Sequence, residues 1–126
     1  MSEMKTKYFT VVEAQRTLPL VKKIVYDILD SGKKINRLKS DSGIRIEENP
    51  EILELINQIN EYIAELEEIG CYFKDWSFEI GLVDFPAIYN EEEVFLCWRS
   101  DEADITHYHG ISDGYAGRQK INAPAG

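Results

Sequence analysis

Cysteine and histidine are scarce in this chain, two of each in 126 residues, and the motifs missing around them narrow the chemistry first. Cys71 and Cys97 form neither a C-x-x-C pair nor a zinc-ligand spacing, and a secreted domain stapled by disulfides usually carries more cysteines. A reducing cytoplasm is the expected compartment. No apolar run approaches the ~20 residues that span a bilayer, and Met1-Ser2-Glu3-Met4-Lys5 lacks the apolar stretch of a signal peptide, so no membrane partner is expected. Basic residues are the minority charge. Fourteen Lys and Arg stand against 23 Asp and Glu, a net charge of −9, which argues against phosphate-backbone binding of nucleic acid. There is no nucleophile elbow, P-loop, dinucleotide fingerprint or H-E-x-x-H, so the well-marked catalytic classes find no support and no motif names a cofactor.

What is present is polarised along the chain. Residues 1–40 hold nine basic and four acidic side chains, and residues 41–126 hold five basic and nineteen acidic. A chain of this length fits one domain, which buries roughly 70% of its unfolded surface and needs no staple. Thr10-Val11-Val12-Glu13 has the form of a capping box, with Phe9 placed to staple onto Ala14, so a short helix is expected from Val11. Proline is disruptive inside a helix, so Thr17-Leu18-Pro19 is expected to open a second helix after a kink. Val21, Ile24, Val25, Ile28, Ile35 and Leu38 then recur at spacings of three and four to about Lys39, interrupted at Ser31-Gly32, where the helix bends or another backbone comes close. Ser40 to Asn49 reads as a loop.

The next helix is marked at both ends. Asn49 is placed to cap it, Pro50 fits its first position, and Gly70 fits the left-handed conformation that ends helices. Its apolar face is Ile52, Leu55, Ile56, Ile59, Tyr62, Ile63, Leu66 and Ile69. The first long helix is basic (Lys22, Lys23, Lys33, Lys34, Arg37, Lys39) and the second acidic (Glu51, Glu54, Glu61, Glu65, Glu67, Glu68), a pattern suited to an antiparallel hairpin. The same pattern can pair helices between two chains, which makes a homo-oligomer or a protein partner docked along the helices an expectation.

Beyond Gly70 the period changes to two. Trp76, Phe78, Ile80 and Leu82 alternate with polar or small residues, and Phe85–Tyr89, Val94–Arg99 and Ile105–His109 follow as short extended runs joined by acidic turns. Short connections mean antiparallel neighbours. The expected fold is α+β: residues 1–70 a two-helix hairpin with a short N-terminal helix, residues 71–121 an antiparallel β-meander of three or four strands, and residues 122–126 a tail.

These residues carry a family resemblance. Phe9-Thr10-x-x-Glu13-Ala14 with Leu18-Pro19, Lys74-Asp75, Gly81-Leu82-Val83-Asp84-Phe85-Pro86, Val94-x-Leu96-Cys97-Trp98, His109 and Gly117-Arg118 resemble an uncharacterised prokaryotic family, domain of unknown function 2203. The likeness spans nearly the whole chain and implies no activity. Members typically have a tryptophan before the histidine and an acidic residue after it, where this chain has Tyr108 and Gly110.

His107 and His109 lie two apart on an expected strand, so both imidazoles leave the same face, as two metal ligands can, with Asp84, Glu79 or Cys97 as candidates for a third. The alternative is two half-exposed histidines on a solvated face. Asp84, between Val83 and Phe85-Pro86, is either a ligand-binding residue or a turn or bulge carboxylate that accepts backbone amides where the strand bends. Arg118 either clamps an anionic ligand or pairs with Asp84 or the acidic turns. Trp98 and its neighbouring aromatics either wall a ligand pocket or fill the core. Cys97 reads as a packed thiol. With no catalytic motif to anchor chemistry, the expectation is a non-enzymatic interaction or assembly module using the helices; the alternative is a small-ligand or metal-dependent enzyme near Asp84, His107, His109 and Arg118.

Overall fold

The computed structural model describes residues 6–42, 49–75 and 77–121, and places two helices with a five-stranded antiparallel sheet. Helix α1 runs Val11–Ser42 and α2 runs Pro50–Ile69; strands β1 (Tyr72–Phe73), β2 (Leu82–Tyr89), β3 (Glu92–Arg99), β4 (His107–Gly110) and β5 (Gln119–Lys120) pair in chain order. The meander therefore has five strands. The two additions are two-residue edge strands, too short for an alternating pattern to announce them. The expected strand through Phe78 and Ile80 is absent: residues 77–80 form turns and bends, Phe78 adopts a left-handed φ of 62°, and Trp76 lies outside the described residues. No helix among the described residues is long and apolar enough to cross a membrane.

The capping box at the start of α1 forms as the sequence predicts. Thr10 N–H donates to Glu13 Oε1 at 2.9 Å and Glu13 N–H donates to Thr10 Oγ1 at 3.0 Å. The expected break at Pro19 does not occur, and α1 continues through it for 32 residues, about 48 Å. An internal proline costs ~3 kcal/mol. Against that, Ala14, Leu18, Val21, Val25 and Ile28 are all at most 3% exposed, and each large apolar side chain buried contributes roughly 1.5–3 kcal/mol. Gln15 adds a second anchor, donating through Nε2 to the Ile105 carbonyl and accepting the Ile105 N–H through Oε1. The glycine at position 32 answers a close approach by a side chain: a Cβ built there would stand 2.5 Å from Phe78 Cβ and Cγ.

Helix α2 has the ends read from its sequence. Asn49 Oδ1 accepts the N–H groups of Glu51 and Ile52, and Gly70 (φ 111°) closes a Schellman motif in which Cys71 N–H reaches Leu66 O and Gly70 N–H reaches Glu67 O. The two helices pack against each other, and their apolar faces join Phe73, Val83, Phe85, Ala87, Val94, Leu96 and Trp98 in one core. The ion pairs that the described residues make within this helical layer, Lys23–Asp27 and Lys34–Asp30, both lie inside α1.

Strand β2 has one face in that core and one turned away from the helices. Val83, Phe85 and Ala87 point inward, so Leu82, Asp84, Pro86 and Ile88 point outward. Register carries the division across the sheet, because directly opposed residues share a face: Asp84 faces Cys97, Pro86 faces Phe95, Phe95 faces His109 and Cys97 faces His107. The strand passes through Pro86 without a bulge. Pro86 offers its carbonyl to Phe9 N–H at 2.8 Å on the side away from β3, so the donor it lacks would not have met β3.

Candidate functional site

The outer face of the sheet holds a group of three buried side chains from three adjacent strands. Asp84 of β2, Cys97 of β3 and His109 of β4 place one carboxylate oxygen, the sulfur and one ring nitrogen within 4.8 Å of one another, and all three residues are at most 5% exposed. Asp84 and Cys97 are cross-strand partners, and His109 leans in from the next row beside Phe95, its ring centroid 5.5 Å from that of Phe95.

Hydrogen bonding fixes the histidine. Nδ1 lies 2.8 Å from the Gly110 carbonyl oxygen, which can only accept, so Nδ1 carries a proton. Nε2 lies 3.1 Å from Asp84 Oδ1, and a single proton held by one of these atoms joins them. Burial raises the Asp84 pKa from its ordinary value, against the opposing pull of His109, Lys74 and Cys97. Burial likewise pushes the Cys97 thiol up to about 12, helped by the Asp84 charge and opposed by Arg118. A thiol so protonated is a poor nucleophile on its own. Cys71, the other thiol, is buried beneath α2 and takes no part.

Arg118 secures the group from the side. Its Nη2 donates to the Cys97 carbonyl at 3.1 Å and to Glu102 Oε1 and Oε2 at 2.7 and 2.9 Å, and Tyr115 lies under its guanidinium. Its side chain is 10% exposed, and its Nε is buried with no acceptor among the described residues. Glu102 Oε1 also receives Arg99 N–H, so this one carboxylate ties the turn after β3 to the C-terminal segment. His107 sits beside the same carboxylate, with Nδ1 2.8 Å from Thr106 Oγ1 and 3.6 Å from Glu102 Oε2.

A cavity of about 260 Å³ opens over the trio, lined by Lys74, Leu82, Phe95, Ile111, Gly114 and Tyr115 besides Asp84, Cys97 and His109. A second, of about 370 Å³, shares Lys74, Phe95 and Ile111 with it and is lined also by Tyr8, Tyr72, Pro86 and Glu93.

Of the residues singled out from the sequence, Asp84 and His109 meet directly, with Cys97 between them. Arg118 flanks them and pairs with the acidic turn. Trp98 is on the other face of β3, buried against the helices with its Nε1 donating to Glu102 O. His107 shares the outer face but is engaged with Thr106 and Glu102, and Glu79 is exposed in the turn before β2. The bulge reading of Asp84 does not hold, because the strand is continuous and the carboxylate is paired with His109. Two contributors were not singled out as site residues: Glu102 lay in an acidic turn, and Lys74 stood only among the residues of the family resemblance.

Compared with known proteins, residues 7–121 match the family model described as Uncharacterized conserved protein (DUF2203). No curated protein and no solved structure matches the chain. The chain belongs to the DUF2203 family.

Proposed function

We propose that this DUF2203 chain binds a divalent transition metal through Asp84 carboxylate, Cys97 thiolate and His109 Nε2, with a fourth position open to the cavity. The observation that carries this reading is the state of His109. Its Nδ1–H is spent on the Gly110 carbonyl, the outer contact that orients metal-ligating histidines, and its Nε2 shares a proton with Asp84 where an ion would replace that proton. A tetrahedral ion with bonds of about 2.0–2.3 Å holds its ligand atoms roughly 3.3–3.7 Å apart; here Nε2 and Oδ1 are 3.1 Å apart and all three ligand atoms lie within 4.8 Å of one another, so the side chains would adjust around an ion. One sulfur, one nitrogen and one oxygen donor suit zinc or cobalt, and three protein ligands with one open position is the arrangement of catalytic rather than structural zinc sites. The ion supplies Lewis acidity and a bound water of lowered pKa. The chain's own residues hold and orient it: Arg118 grips the Cys97 carbonyl and stands ready to donate to the sulfur once it is thiolate.

Zinc titration against a chromophoric chelator, with metal content by mass spectrometry, tests this. The parent should take one equivalent, Asp84→Ala and Cys97→Ser should lose at least tenfold in affinity, and His107→Ala should keep it. A parent that takes no zinc, or a His107→Ala variant as impaired as Cys97→Ser, overturns the reading.

An assembly role for the helices stands second. It is favoured by the basic α1 and acidic α2, whose ion pairs among the described residues are internal to α1, and by Val12, Leu20 and Tyr26, exposed on α1. In this reading the helices form an antiparallel hairpin and pair with those of a second copy. Native mass spectrometry showing only monomer at all concentrations would remove it.

A further inference from the structure

Building on the metal reading, we infer that the ligand of this site is a small organic monocarboxylate with an apolar or aromatic body. Its carboxylate would sit at the open metal position beside Lys74, and its body would lie along the groove past Phe95 and Ile111.

Charge selects the head group. A divalent ion held by one carboxylate, one thiolate and a neutral imidazole is a neutral unit, and Arg118 is neutralised by Glu102. Lys74 is then the cationic side chain among the described residues that line this cavity, and its charge acts on Asp84. One positive charge beside an open coordination position favours one negative charge on the ligand.

Shape and lining select the body. The two cavities share Lys74, Phe95 and Ile111, so they adjoin at these side chains and the body of a ligand anchored over the trio would take the path along them toward the larger one. Tyr72, Pro86, Phe95 and Ile111 make that path apolar, and the Lys74 ammonium lies 5.8 Å from the Phe95 ring centroid and 6.0 Å from that of Tyr72. The far end excludes a second anion. Glu93 stands there, and desolvation first, then the nearby Glu93 carboxylate, raise the pKa of the Tyr8 phenol. A dicarboxylate that reached the metal would press its other end toward Glu93.

The test uses the full chain loaded with cobalt, whose ligand-field spectrum reports a new ligand at the open position. 4-Phenylbutyrate should perturb the spectrum saturably and bind about tenfold more tightly than acetate, for the phenyl group buried, and also more tightly than adipate. Lys74→Met should weaken 4-phenylbutyrate by about tenfold with the ligand-free cobalt spectrum unchanged, and Lys74→Arg should restore most of the loss. If cobalt binds stoichiometrically but carboxylates leave its spectrum unchanged, or Lys74→Met binds as well as the parent, this inference is wrong and the metal reading stands. If cobalt does not bind, the metal reading itself has failed and takes this one with it.

Discussion

Replacing Glu102 by glutamine removes one charge without changing shape, and the structure puts that charge where the protein can least spare it. Glu102 Oε1 accepts Arg99 N–H at 2.8 Å and Arg118 Nη2 at 2.7 Å, and Oε2 accepts Arg118 Nη2 at 2.9 Å. Its side chain is 16% exposed and that of Arg118 10%. A glutamine can keep its carbonyl toward Arg99 N–H, but its amide then turns a donor on a guanidinium that is itself all donors. Arg118 then keeps the carbonyl as an acceptor but loses its counter-charge, and its Nε has no acceptor among the described residues. Breaking one side of a buried pair costs about 3–5 kcal/mol, and the residual exposure places Glu102→Gln near 3 kcal/mol. For a domain of this size that is a fall in Tm of roughly 10 °C.

Urea unfolding followed by far-UV circular dichroism measures the loss. The double variant Glu102→Leu/Arg118→Met supplies the control, because removing both charges together spares the desolvation cost and should recover most of the stability. Salt separates this pair from surface ones: 0.5 M sodium chloride should hardly change the Glu102→Gln deficit, since buried pairs are screened little. A deficit under about 1 kcal/mol, or a double variant less stable than Glu102→Gln, would refute the reasoning.

Three other outcomes follow from single contacts. Gly32→Ala should destabilise by about 1–3 kcal/mol in urea, because the methyl meets Phe78 at 2.5 Å; alanine's helix preference of about 1 kcal/mol alone predicts the opposite sign. Asn49→Ala should cost about 1 kcal/mol by freeing the Glu51 and Ile52 amides, and Asn49→Asp should retain the cap. Burial pushes both thiols up to about 12, so at pH 8 only about one in 10⁴ is thiolate, and a disulfide reagent should label native Cys71 and Cys97 far more slowly than the urea-unfolded chain; rapid labelling of either native thiol would contradict their burial.

How much of this was legible in the sequence depended on whether the signal was local. The capping box at Thr10, the Asn49 cap and the Gly70 terminus each involve residues within a few positions, and each forms as the residues dictate. Pro19 misled because the local rule was outweighed by tertiary packing, which carries α1 through it. The 76–82 alternation misled for a related reason: Phe78 is apolar because it packs on Gly32 of α1, a contact a bend serves as well as a strand. Asp84 and His109 could be named as residue types out of place, but their pairing depends on the register of β3 between them. The same register sets Cys97, read either as a packed thiol or as a candidate third ligand, opposite Asp84 and one row from His109.

That placement bears on what the trio is for. An ion pair or shared proton buried on a sheet is commonly no more stabilising than apolar side chains of the same volume, and Asp84 is held there against a desolvation cost that raises its pKa. The inner face, with Val83, Phe85, Leu96 and Trp98 all at most 2% exposed, joins the helices on its own account. Stability therefore gives no reason for a carboxylate, a thiol and an imidazole to converge on the face the helices leave uncovered. The binding site proposed above would. It needs its polar groups dehydrated, oriented by neighbours such as the Gly110 carbonyl and Arg118, and still open to a cavity on one side, and the outer face of β2, β3 and β4 meets all three conditions together.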